Sequence, residues 1–127
     1  MVYAVISDIH GNQEALEAVL ADIARRGADK KICLGDNVGY CAGPSECIAA
    51  LKDFDAVLLG NHDFAVTHSE IVEKFNFHAK TAIEWTIEQL TPVEIEYLSK
   101  LPYTHKEKEV TFVHATPRNP ENWGYIT

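Results

Sequence analysis

Hydrophobic positions along this chain fall into short solid runs separated by stretches of helical spacing. Val2 to Ile6 is an apolar run rich in β-branched residues, which predicts a strand buried on both faces. Leu16, Val19, Leu20 and Ile23 then repeat at i, i+3, i+4 and i+7, the period of an amphipathic helix. Asn12 is placed to cap that helix, Glu14 sits in its first turn, and Gly27 ends it. Lys31 to Leu34 predicts a second strand. Gly43-Pro44 opens a second helix, with proline suited to a first turn and Glu46, Ile48, Ala49 and Leu51 along its length. Asp55 to Leu59 predicts a third strand. Strands and helices alternating in this way build a parallel sheet with right-handed crossovers.

Beyond Gly60 the pattern changes. Ala79, Ala82, Ile83, Thr86, Ile87 and Leu90 mark a longer helix starting near Asn76. Thr91-Pro92-Val93-Glu94 combines a capping box with proline at the first helical position, so a short helix carrying Ile95 and Leu98 should run to Leu101. Pro102 to His105 and Val110 to Val113 then read as a hairpin turning through Lys106-Glu107-Lys108-Glu109.

Polar clusters stand where the predicted strands end: Asp8-Ile9-His10, Gly35-Asp36-Asn37, Gly60-Asn61-His62-Asp63 and His114. Strand ends are where open α/β sheets build their sites. Each cluster alone has an ordinary reading. Asp8 and Asp36 serve equally well as turn acids, and His114 alone is better taken as a satisfied, partly buried histidine. Two features favour ligands. In extended chain the i and i+2 side chains point the same way, so Asp8 and His10 can converge on one ion. Gly-Asn-His-Asp directly after a buried strand exceeds what a turn requires. His68, His78 and His105 lack such context and are read as surface or packing residues.

At 127 residues, 46% hydrophobic and 24% charged, the chain fits one domain with a real core. A net charge of −8 argues against broad binding of nucleic acid, which needs clustered Lys and Arg. The N-terminus has neither a basic region nor a cleavage site, and no apolar run approaches the ~20 residues of a membrane span. The expectation is a cytoplasmic protein. Cys33, Cys41 and Cys47 are odd in number and lack Cys-x-x-Cys spacing, which disfavours a disulfide framework or zinc ribbon. Cys33 is read as a small core hydrophobe. Phosphate loops, dinucleotide-binding glycine turns, zincin helices and serine-hydrolase elbows are all absent.

In this order Ser7-Asp8-Ile9-His10-Gly11-Asn12, Gly35-Asp36-Asn37-Val38-Gly39-Tyr40, Gly60-Asn61-His62-Asp63 and Val113-His114-Ala115-Thr116-Pro117 resemble the calcineurin-like metallophosphoesterases, in particular their small prokaryotic branch related to diadenosine tetraphosphatases. The resemblance spans the chain and implies an α/β/β/α sandwich with a dinuclear site at the strand ends. It also implies two divalent transition metal ions, drawn from Mn, Fe, Zn, Ni or Co. Asp8 and His10 would bind the first, Asp36 would bridge, and Asn61 and His114 would bind the second. The implied reaction is hydrolysis of phosphomonoesters or phosphodiesters, nucleotides among them, by a hydroxide formed between metals ~3.5–4 Å apart. His62, oriented by Asp63, would be the unligated catalytic histidine, with Asn61 and His62 also touching substrate. Arg118 would contact the phosphate, though a solvated loop arginine is an equal reading. Trp123 and Tyr125 would line the mouth or cover the core.

The family's Gly-His-x-His segment, which completes both ions, does not occur in this sequence. The expectation is therefore a sandwich with an incomplete second sheet, supplied with ligands by a homo-oligomer or a complementing C-terminal fragment. The competing expectation is a catalytically impaired fragment, or a non-catalytic metal-binding or interaction module of the same fold.

Overall fold

The computed structural model describes residues 1–127. Strand β1 (Tyr3–Ile6) leads to helix α1 (Gln13–Arg26), β2 (Lys30–Cys33), α2 (Pro44–Leu51) and β3 (Ala56–Val57). These three strands form one parallel sheet in the order β1-β2-β3, with Val5 opposite Ile32 and Cys33 opposite Val57. The chain continues through α3 (Asn61–Thr67), α4 (Phe77–Gln89) and α5 (Pro92–Ser99) to an antiparallel hairpin of β4 (Thr104–Glu107) and β5 (Val110–Val113).

The first half follows the hydrophobic pattern closely. Asn12 accepts from the Ala15 N–H at 3.1 Å, and Gly27 closes α1 in the left-handed conformation at φ 73°. Thr91 and Glu94 form the capping box that starts α5. The strand ends of β1 and β2 shift by one residue, and larger departures from expectation lie further along. The third strand keeps only two residues, because the Leu58 N–H still reaches Cys33 whereas the Leu59 N–H turns to the Pro102 carbonyl and leaves the sheet. Helix α3 was not foreseen, since its first three residues are the Asn-His-Asp cluster. Helix α5 stops at Ser99 rather than Leu101. The hairpin turns on Lys108 and Glu109 alone, with Lys108 at φ 50°, and Lys106 and Glu107 belong to β4.

Two clusters of buried side chains hold these layers. Ile9, Leu16, Cys33, Cys47, Leu51 and Val57 join the sheet to α1 and α2. Val38, Ile48, Ala65, Val66, Ile83 and Leu98 belong to the second, which packs α3, α4 and α5 together. The hairpin attaches to the first sheet through polar contacts: Glu107 accepts from the Tyr3 hydroxyl at 2.8 Å and pairs with Lys30 at 2.7 Å. β1 pairs on one edge only, and Val5 on β1 and Val19 on α1 are 45% and 40% exposed. The apolar stripe of α1 is thus only partly covered. No helix is long and apolar enough to cross a membrane.

Candidate metal centre

The loops after β1 and β2 lie side by side and extend the sheet's pairing beyond its strands. Asp8 N–H donates to the Gly35 carbonyl at 3.0 Å, His10 N–H to Asp36 at 2.9 Å, and Gly11 N–H to Asn37 at 3.0 Å. Asp8, His10 and Asp36 all take positive φ, at 57°, 50° and 55°. Non-glycine residues in this region are uncommon, and each costs on the order of 1–3 kcal/mol. Asp8 and His10 therefore converge, but not by the strand alternation expected of an i, i+2 pair. A left-handed backbone at Asp8, His10 and Asp36 sets the direction of each side chain.

Asp36 is the centre of the arrangement. Its side chain is 5% exposed; Oδ2 lies 3.6 Å from His10 Nε2 and Oδ1 lies 3.6 Å from His114 Nε2. His10 Nε2 is also 3.7 Å from Asp8 Oδ1, and His114 Nε2 is 3.0 Å from Asn61 Oδ1. Both imidazoles are anchored from behind, His10 Nδ1 on the Val38 carbonyl at 3.2 Å and His114 Nδ1 on the Leu34 carbonyl at 3.1 Å. A carbonyl can only accept, so each Nδ1 carries hydrogen and each Nε2 is the atom turned toward the Asp36 oxygens. An imidazole nitrogen and carboxylate oxygens facing one another in this way are donors that a cation between them would satisfy. This backbone support is also the usual orientation of metal-binding histidines. The donor set thus fits divalent ions. Burial pushes the Asp36 carboxyl up to about 7, opposed by the His62 N–H and reinforced by Asp8.

Two groups of side chains have their ligand atoms mutually within 4.8 Å: Asp8, Asp36 and His114, and His10, Asp36 and His62. Asp36 belongs to both. His62 is buried, its Nδ1 has no hydrogen-bond partner, and burial followed by the neighbouring His10 and His114 lowers it to about 4. It is neutral near pH 7. Its ring lies 4.7 Å from that of His10, 5.0 Å from Tyr40 and 5.1 Å from Phe75.

Asp63 does not orient His62. Its Oδ1 accepts from the N–H groups of Asn37 and Val38, and its Oδ2 from the Gly60 N–H and the Asn37 side-chain amide, at 2.8–3.2 Å. The carboxylate is fully buried and ties the β2 loop to the start of α3. Asn37 extends the network, accepting from Cys33 Sγ at 3.1 Å. Burial pushes the Cys33 thiol up to about 12, so it is an inert core group. Arg118 is exposed, and lines neither cleft beside the centre. Trp123 and Tyr125 do line the mouth. Cys41 belongs to neither ligand group.

Gly39 escaped the sequence reading. At φ 136° it occupies backbone space open to glycine, and a Cβ there would lie 2.9 Å from His10 Nδ1 and 3.0 Å from His62 Nδ1. Gly60 is equally constrained, since a Cβ would meet Asp36 N and Oδ1 at 2.1 Å. The signal was present, because both glycines flank the polar clusters, but only the folded contact shows its meaning.

A family model described as calcineurin-like phosphoesterase matches residues 1–127. An uncharacterized protein of Methanocaldococcus jannaschii is 44% identical over 97% of this chain and 53% of its own length. A crystal structure of a metallophosphoesterase from Sphaerobacter thermophilus superposes with a TM-score of 0.83 at 39% identity, covering 99% of this chain and 51% of that one. A hypothetical protein from Pyrococcus horikoshii gives 0.82 at 29% identity, over 94% and 56%. The chain spans about half the length of the relatives it matches.

Proposed function

The chain belongs to the calcineurin-like phosphoesterase family, and from that premise we propose that it hydrolyses phosphate esters at a centre built on Asp36. The observation that carries this reading is one buried carboxylate with a different imidazole Nε2 3.6 Å from each of its oxygens. Asp8 and His10 would hold one ion with Asp36, and Asn61 and His114 the other. Bound divalent cations would supply Lewis acidity toward the phosphoryl oxygens and lower the pKa of water.

The chain's own residues do the rest. Asp36 sets the spacing, and the Leu34 and Val38 carbonyls keep each imidazole turned inward. His62, neutral and enclosed by His10, Tyr40 and Phe75, offers a ring nitrogen beside the reacting phosphate, where a hydrogen bond to the leaving oxygen can strengthen as charge develops. Asp63 positions rather than reacts, by holding the Asn37-Val38 backbone. The test is metal content together with Mn-dependent hydrolysis of aryl phosphate mono- and diesters, compared with His62→Ala. The expected result is two ions per chain in both proteins and turnover at least about a hundredfold lower in the variant. Metal uptake without turnover in the parent chain would make this a non-catalytic module of the family. Absence of both would sink the reading.

A further inference from the structure

A second cleft of about 620 Å³ opens beside the one of about 490 Å³ over the candidate ligands. Tyr40, Asn61, His62, Trp123 and Tyr125 line both, so a molecule with its phosphorus above Asp36 can extend past them without leaving the protein surface. The second cleft has the size of a small-molecule site. Its aromatic walls are unequal. Phe64 is already stacked on His68, with ring centres 4.0 Å apart and planes 6° from parallel, whereas Phe75 and Trp123 meet their neighbours only edge-on or tilted. Neither of those two rings is stacked face to face within the protein, and both line the cleft, Phe75 with its other side packed on the core.

Polar groups stand among them. Asn76 gives its Oδ1 to the Ala79 N–H as the cap of α4, leaving its NH2 to donate, and Asn122 and Glu121 add further edge partners. Lys74 is the single lysine or arginine lining either cleft, in a chain of 19 acidic and 11 basic residues. None of the ion pairs in the structure engages it. An aliphatic leaving group would leave the aromatic walls and side-chain amides without partners. A ring with polar edges would engage both, by stacking and by hydrogen bonding.

We propose that this cleft receives a planar aromatic leaving group of the ester, held against Phe75 and Trp123, with Lys74 paired to a further negative charge on the substrate. The placement of the phosphate rests on the phosphoesterase reading; recognition of the ring does not. A nucleoside and a simple aryl group share this chemistry, and the test separates them.

Tryptophan fluorescence of Trp123, isolated in a Trp85→Phe background, reports binding directly. Adenosine monophosphate should bind about tenfold or more tightly than ribose 5-phosphate, with phenyl phosphate as the aryl arm. Lys74→Gln, an exposed substitution, should weaken adenosine diphosphate, which carries a second phosphate, about fivefold or more at unchanged manganese content, and leave adenosine monophosphate nearly unchanged. Equal dissociation constants for adenosine monophosphate and ribose 5-phosphate would overturn the ring site, and an unchanged constant for adenosine diphosphate in Lys74→Gln would overturn the role of the lysine. Phenyl phosphate matching the nucleotide supports the ring site and assigns it to aryl esters; weaker phenyl binding assigns it to nucleosides. Adenosine in the presence of chelator probes the cleft alone. Quenching there in a chain that takes up no manganese would retain the ring site and discard the phosphoesterase reading.

Discussion

Replacing Asp63 with asparagine separates a structural role from a catalytic one. The carboxylate accepts four N–H donors, two on each oxygen, and is fully buried. Asparagine has nearly the same volume, but one oxygen becomes an NH2 that must face two donors. Two hydrogen bonds are lost and two buried donors are orphaned. At ~1–3 kcal/mol for each orphaned donor the cost is about 2–6 kcal/mol. That is a large part of the roughly 5–15 kcal/mol of a typical domain. With a urea slope of ~1–3 kcal/mol per molar, central values of about 4 kcal/mol and about 2 kcal/mol per molar put the fall in the unfolding midpoint near ~2 M at an unchanged slope. The measurement belongs at pH 8, because burial, reinforced by Asp36, pushes the Asp63 carboxyl up to about 7. If Asp63 instead tuned His62, the variant would keep its midpoint and shift its pH–rate profile. A midpoint change below about 0.3 M would refute the structural account.

Gly39→Ala should weaken manganese binding more than tenfold, measured by calorimetry, because its Cβ would push against His10 and His62. Gly27→Ala is the control: it shares a positive φ but meets nothing within 4 Å, so it should cost only about 1 kcal/mol of stability and leave metal affinity intact. Lys30, then His105 and Tyr3, hold the Glu107 carboxyl down to about 2. A lowered acid stabilises the fold above its unfolded value near 4.5, and that contribution is lost as pH falls through about 2. The melting temperature of Glu107→Gln should therefore lie below the parent's at pH 6 and meet it near pH 2; a constant gap across that window would disprove the linkage.

The candidate ligand residues are legible as a cluster because a β/α alternation places them at strand ends, and residue type then narrows their chemistry. Asp8, His10, Asp36, Asn61 and His114 were all expected at the centre and are brought together there. What stayed hidden depends on contacts between distant segments. Nothing near Asp63 in sequence announces that Asn37 and Val38 will occupy its oxygens. Gly39 reads as a turn glycine until two histidines meet over it. Helix α3 was masked because its first residues carry the site, and polar clusters read as loops. The placement of Arg118 outside both clefts has the same origin, since proximity to His114 along the chain says little about where a loop arginine settles.

The pairing of the β1 and β2 loops joins folding and chemistry into one cooperative event. Asp8 and His10 follow one strand and Asp36 the next, and their spacing is fixed by the same ladder of amides that aligns Val5 with Ile32. A register error of one residue would scatter both candidate ion positions at once. Because β1 is held along a single edge, its transient opening would release Asp8 and His10 together. Escape of an ion from the proposed centre should then keep time with amide exchange in β1, so that a metal held there would be a clock for the breathing of one strand.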